Sequence, residues 1–513
     1  MHNAELVLGL LIAVAALVTI ARRLDIAYPI FLVIGGLVLG LAPGLPAFRV
    51  DPEVIFLIVL PPLLYIAAYF TPLQSLRANL FTIGSLAVGL VIASACAVAV
   101  AARLLIPGMP WSVAFVLGAI VAPPDAVAAT AVTSRLAVPR QVVTILEGES
   151  LLNDATALTI YVIALAVAAG GVFSPSSAIV TFSSALLGGC LIGLAVGWLI
   201  AHVRARLEDT PVEMTISLLT PFAAFLPAER LGASAVIATV AAGLWLGHRG
   251  SRIMGADARL TGRAVWDTLT FLLNGFVFIV MGLEVPLLLR ALTPAEALRL
   301  VAIGAVVTVA LVVVRALWLG ATVMLPLRLH GRPDALACAL VLSWSGMRGV
   351  VSLAAALALP LALPARDAVV IVTLTVIVLT LLGQGLTLPW LIRALGLGRD
   401  SGLRGEEARA RAALLQAAGR RIDQLYPVWP GHHPLLDQLR ETYRHRSEHV
   451  ERQLDPAGDG EDQELIEHRE IRRTVIDAER EALLRLRAEG EINDQVLREL
   501  ERELDLEERR MDA

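Results

Sequence analysis

EGESLLNDATALTIYVIALAVAAG, residues 147–170, places an amide and a carboxylate, Asn153 and Asp154, inside an apolar run from Leu146 to Val167. A carboxylate at membrane depth costs roughly 3 kcal/mol on insertion scales, so such a group is normally kept for function. The apolar run before it, VAFVLGAIVAPPDAVAATAV (113–132), holds a second acid, Asp125, directly after Pro123 and Pro124. Two neighbouring spans that each bury an acid, one of them broken by Pro-Pro, read as an ion pathway in an all-α membrane protein.

Composition supports that frame. Of 513 residues, 57% are hydrophobic, and the mean hydropathy is +0.73, outside the range of a soluble globular mixture. Apolar runs recur through residues 1–398, each about 20 residues and able to cross ~30 Å of hydrocarbon. The net charge of −4 averages this part with a highly charged tail, and all 42 basic residues are Arg. Cys96, Cys190 and Cys338 fall within predicted spans and read as packing residues, with no disulfide framework. The first apolar run, Leu6 to Ala21, lacks a basic leader and is followed by Arg22 and Arg23, so it reads as a first span, not a cleaved signal peptide. No GxxxxGK[ST] motif occurs, which argues against ATP coupling.

Gly, Pro and charge punctuation divide the apolar part into thirteen spans, at about 4–22, 27–45, 53–70, 79–105, 111–133, 142–169, 175–203, 211–227, 231–247, 264–287, 297–325, 333–359 and 367–397. One set of alternate loops holds thirteen Arg and the other six, which predicts the Arg-rich set, the tail included, to be cytoplasmic and the N-terminus to be outside. An odd count suits two inverted six-span repeats around a central seventh. The fifth span, with Pro123-Pro124-Asp125, then corresponds to the twelfth, where Gly346 and Gly349 flank Arg348 in SWSGMRGVVSL (343–353). Interrupted helices at matching positions mark a transporter's midplane site. Simple kinks are the alternative, but a charge inside each break favours the site.

On the sixth span Ser150 and Asp154 share one face, and Glu147 falls near the same stripe about 10 Å toward the predicted cytoplasmic end. A hydroxyl, the Asn153 amide oxygen, a carboxylate and carbonyls freed at the Pro-Pro break make an all-oxygen donor set, which suits an alkali cation. A buried Asp154–Arg pair is the structural alternative. Glu149 points away from Asp154, since five residues advance about 140°. Arg315, buried in LVVVRALWL of the eleventh span, is its expected partner in a structural ion pair. Residues 399–513 change character to Arg- and Glu-rich amphipathic helices, a predicted cytoplasmic tail. His445 and His449 there have i, i+4 spacing, but no third ligand accompanies them, and a solvated helix face is the plainer reading.

GESLLNDATAL (148–158) resembles the signature of the monovalent cation:proton antiporter family, which includes the sodium/proton exchangers. LPPLLYIAAY (60–69), GAIVAPPDAVAAT (118–130), FLLNGFVFIVMGLEV (271–285) and SWSGMRGVVSLAAALALP (343–360) resemble it in the same order. LGQGLTLPWLIRALGL (382–397) and the tail resemble its bacterial branch. The resemblance implies a homodimer and a cation site at Asp154, Asn153, Ser150 and Asp125 with backbone from the crossing of the fifth and twelfth spans. Two positions depart from the pattern. Pro124 stands where many members have Thr, leaving only a carbonyl, and Ile66 stands where some archaeal and animal members carry an acid.

The sequence thus predicts a secondary antiporter exchanging cytoplasmic Na⁺, with K⁺ or Li⁺ as further candidates, for external H⁺. Asp154 is the expected shared carrier, exchange is expected to be electroneutral, and Glu147 is the expected modulator of the pH profile. The expected setting is the lipid bilayer of a bacterial inner membrane, with no cofactor, no enzymatic reaction and no nucleic-acid partner. A passive cation channel is the first rival. An intramembrane aspartyl protease is remote, because the GxGD pattern is missing and such a dyad needs two acids at about 3 Å sharing a proton.

Overall fold

Without water to pair with, backbone groups in hydrocarbon must bond within their own segment, so long apolar runs fold as helices. The computed structural model follows that rule: every regular element among the described residues is a helix. The described residues are 2–24, 27–42, 55–133, 136, 138–207, 209–289, 292–324, 335–397, 401–453, 463–489, 491 and 494–512. The chain separates into two compact units, Met1–Arg399 and Asp400–Ala513.

The first unit begins with α1 (His2–Arg23), α2 (Tyr28–Leu41), α3 (Leu57–Phe70), the short α4 (Leu73–Ala78) and α5 (Leu80–Leu105). Then come α6 (Trp111–Val121), α7 (Ala126–Thr133), α8 (Arg140–Ala168), α9 (Pro175–Arg204), α10 (Thr210–Arg230) and α11 (Ala235–Ile253). Last are α12 (Ala256–Leu289), α13 (Pro294–Leu319), α14 (Ala335–Trp344), α15 (Val350–Leu357) and α16 (Arg366–Ala394). Among the described residues eight helices are long and apolar enough to cross a membrane, α6 and α7 counting as one, and α2 and α3 are shorter apolar helices. Parts of the second, third, eleventh and twelfth predicted spans lie outside the described residues, as do Arg49, Arg135, Arg290, Arg328 and Arg332 of the loop-charge comparison.

Helix ends follow local chemistry. Asp209 and Ser234 cap α10 and α11 by accepting from Val212 and Ile237, each at 3.3 Å. Thr293 and Glu296 form a reciprocal capping box at the start of α13. Packing between helices uses small residues, which let backbones approach where lipid supplies no hydrophobic drive. α12 lies against α2 at Gly36 and Gly282, where a Cβ on either would run into the facing backbone, Ile279 or Val33. Outward faces remain apolar: Leu187, Leu191 and Leu199 on α9 and Val309 and Leu317 on α13 are all exposed.

The second unit holds α17 (Ser401–Leu425), α18 (His433–Gln453), α19 (Gln463–Ala488) and α20 (Asp494–Asp512). α17 and α18 pair through buried Ile422 and Leu436, flanked by an Arg440–Asp423 ion pair. α19 and α20 pair through Ile476, Leu483 and Leu497, with Arg480 bridging Asp505 at 2.5 Å and Glu508 at 2.7 Å.

Candidate functional site

Pro123 and Pro124 supply no backbone N–H, so the helical ladder stops after Val121 and resumes at Ala126. On the facing side of the crossing, α14 ends at Trp344 and α15 starts at Val350. The two unwound segments meet where the Asp125 N–H donates to the Met347 carbonyl at 2.6 Å.

Each break leaves helix ends that need compensating charge. Carbonyls at the C-terminal end of α6 receive Arg348: its Nε donates to Val121 O at 2.9 Å and its Nη2 to Ala122 O at 3.4 Å. Arg348 Nη1 also donates to Gly346 O, and its main-chain N–H donates to Thr380 Oγ1 at 3.1 Å. A buried cation thus sits where the helix dipole is negative. Asp125 supplies the opposite charge, accepting from the Val127 N–H at 2.8 Å at the start of α7. It also abuts Gly349 at the start of α15, where a Cβ would overlap its carboxylate.

α8 runs unbroken past this crossing and is fastened to it by two contacts. Asn153 Nδ2 donates to the Pro124 carbonyl at 2.9 Å, and the Ala126 N–H meets Ser150 Oγ at 3.4 Å. The Pro124 carbonyl, read from sequence as a cation donor, is therefore also Asn153's anchor. Among the described residues, Asn153 Oδ1 and Asp125 Oδ2 are buried without a hydrogen-bond partner. Asp154 is 5% exposed. It shares a cavity of about 560 Å³ with Asp125, Ser150 and Glu147, and Ile66 and Pro124 also line it. The arrangement offers a carboxylate, a hydroxyl and unpaired amide and carboxylate oxygens, a donor set that can take a proton or a hard cation.

Glu149 lies outside that cavity. Arg315 Nη1 and Nη2 donate to its two carboxylate oxygens at 2.6 and 2.8 Å, and Arg315 Nε donates to Leu342 O at 2.9 Å. Both side chains are 1% exposed. A second buried pair escaped the sequence reading. Arg204, one of the thirteen Arg of the Arg-rich loop set and just past the predicted seventh span (175–203), is buried with Glu213 at 3.1 Å across the α9–α10 connection. Also unremarked were Asp267, Thr270 and Asn274 of α12, which line the cavity. A lone amide in the run FLLNGFVFIVMG is the signal that could have found Asn274. Among the described residues no cluster of three His, Cys, Asp or Glu is placed to hold a metal ion. The side chain of His449 lies outside the described residues.

The family model described as sodium/hydrogen exchanger, transmembrane, matches residues 9–394, a stretch that contains every residue of this site. The chain belongs to the sodium/hydrogen exchanger family. This family member is 36% identical to an uncharacterised Na⁺/H⁺ exchanger of Mycobacterium tuberculosis, with 98% of this chain and 96% of the relative covered. It is 32% identical to the Na⁺/H⁺ antiporter NhaS2 of Synechocystis, over 87% of this chain and 81% of that one. It is 31% identical to a sodium, potassium, lithium and rubidium/H⁺ antiporter of Bacillus subtilis, over 75% of this chain and 61% of that one. Its fold matches that of the sodium proton antiporter MjNhaP1 of Methanocaldococcus jannaschii, with TM-score 0.62 and 20% identity, over 78% of this chain and 99% of that structure.

Proposed function

We propose that the protein is a secondary antiporter that exchanges cytoplasmic Na⁺, with K⁺ and Li⁺ as further candidate substrates, for external H⁺. Asp154 is the shared carrier, binding a cation or a proton in turn. Asn153, Ser150 and Asp125 complete the site together with backbone at the crossing. Arg348 and Asp125 hold the broken helices, Glu149 and Arg315 are scaffold, and Glu147 tunes the pH profile. We place the protein in a bacterial inner membrane as a homodimer of thirteen-span protomers built from two inverted repeats, N-termini outside and tails in the cytoplasm.

One observation carries this reading. Among the described residues no basic side chain pairs with Asp154, although the other acids buried to a similar degree on α8 and α10, Glu149 and Glu213, each have an Arg. An unpaired carboxylate beside a crossing of broken helices is what a site that binds and releases a charge requires. The test is cation-driven fluorescence dequenching in everted vesicles titrated with Na⁺, K⁺ and Li⁺. Asp154→Asn should insert and fold normally yet show no cation-driven proton movement, and retained exchange would refute the carrier. A channel is separated by asking whether an imposed pH gradient drives Na⁺ uphill, which only the antiporter does.

A further inference from the structure

The cavity wall contributed by α12 repeats the polar spacing of α8. On α8 the groups are Glu147, Ser150 and Asp154, and on α12 they are Asp267, Thr270 and Asn274, all lining one cavity. Both sets fall at i, i+3 and i+7, so each lies within about 60° of one helix face. Exposure falls along both in the same sense. Asp267 is exposed, Thr270 half-buried and Asn274 1% exposed, while Glu147 and Ser150 are half-buried and Asp154 is 5% exposed.

The deep end of the α12 stripe carries an unmet requirement. Among the described residues Asn274 Oδ1 is buried and has no hydrogen-bond partner, while the side-chain amide hydrogen-bonds the Tyr28 hydroxyl. A buried carbonyl-type oxygen without a donor is an exception that calls for an occupant. At the shallow end Arg263 approaches Asp267 at 4.0 Å, with both side chains largely exposed, a loose surface pair that leaves the carboxylate able to attract a cation.

We infer that the α12 stripe is the second wall of the ion's route between the cavity mouth and Asp154. Asp267 and Glu147 gather the cation at the mouth, and Thr270 and Ser150 replace part of its hydration. Asn274 Oδ1 then supplies a ligand from the side opposite Asp154. On the proposed orientation the mouth is cytoplasmic. This rests on Asp154 as carrier, and Asn274 acts as a specificity-determining ligand rather than as a second carrier, since an amide does not exchange protons with the cation.

The test uses purified full-length protein in proteoliposomes, with initial rates measured against Na⁺, Li⁺ and K⁺ at one pH. Asn274→Leu, of similar volume without the oxygen, should raise the Na⁺ KM about tenfold with the maximal rate within about twofold, the signature of lost cation binding. The Na⁺ to K⁺ preference should change with it. Asn274→Asp, which keeps an oxygen in place, should hold KM within about threefold of wild type. Thr270→Val, a milder change at a half-buried position, should raise KM about threefold and keeps the question answerable if Asn274→Leu does not fold. An unchanged KM in the folded leucine variant, or an equal rise in Tyr28→Phe, would overturn the role, the latter by showing that Asn274 serves only to hold Tyr28. Asp154→Asn in the same preparation tells the two readings apart. If it is inactive while Asn274→Leu is normal, only the α12 wall falls; if it is active, the carrier assignment falls.

Discussion

Two acids five residues apart on α8 have opposite surroundings, and the difference underlies the roles proposed for them. Glu149 is locked by a bidentate Arg315 at 2.6 and 2.8 Å, whereas Asp154 opens on the cavity. Removing Arg315 strands a buried carboxylate, a change that typically costs ~3–5 kcal/mol. Arg315→Ala should therefore lower the melting temperature in detergent, and Glu149→Gln with Arg315→Ala should recover part of the loss. A double variant no more stable than the single would show that the two residues are not energetic partners. A sharper positional test lies at Gly349. A Cβ there would occupy the space of the Asp125 carboxylate, while one at Gly383 would meet nothing within 4 Å. Misplacing a reacting group by about 1 Å can cost ~100-fold in rate. Gly349→Ala should cut the exchange rate by about that factor, and Gly383→Ala should leave it within about twofold.

Broken helices are expensive unless something answers their exposed ends, and here one guanidinium answers three carbonyls, Val121, Ala122 and Gly346. The planar fork of Arg fits that task in a way a Lys ammonium does not. Arg348→Lys keeps the charge but should lower the melting temperature and abolish exchange, and Arg348→Met should be worse in stability because both charge and donors are gone. An Arg348→Lys variant that melts with the wild type would refute the fork argument. The break itself was legible in sequence, because prolines and glycines beside charges punctuate apolar runs. So were the Glu149–Arg315 partners, since Glu149 turns away from Asp154 on its helix and Arg315 is the single charge inside a long apolar run. What the sequence hid were relations between elements. Arg204 reads as a loop charge because hydropathy cannot tell an exposed helix end from one covered by α10, where Glu213 meets it. Asn274 reads as ordinary polarity within α12, because an unpartnered oxygen is defined by what surrounds it, not by its neighbours in the chain.

Among the described residues of the membrane unit, several buried charges have fixed partners. Arg348 faces carbonyls, Glu149 is paired with Arg315, and Glu213 with Arg204. The acids that line the cavity are Asp154 and Asp125 beside the crossing and Glu147 and Asp267 toward its mouth. If cation and proton compete for Asp154 alone, protonation removes the ligand's charge and mass action by the cation restores it. Below the carrier's apparent pKa, each unit of lowered pH should then raise the apparent Na⁺ KM by about tenfold, with the maximal rate nearly unchanged. Well above that pKa the carboxylate is already free of protons and KM should level off. The same single charge crosses in either direction, so an imposed membrane potential should leave the rate unaltered. Initial rates in proteoliposomes at several pH values, with and without a valinomycin clamp, measure both quantities. A KM independent of pH would remove the competition. A rate that follows the potential would mean that Asp125, held between the starts of α7 and α15 with one oxygen unpaired, changes charge as well.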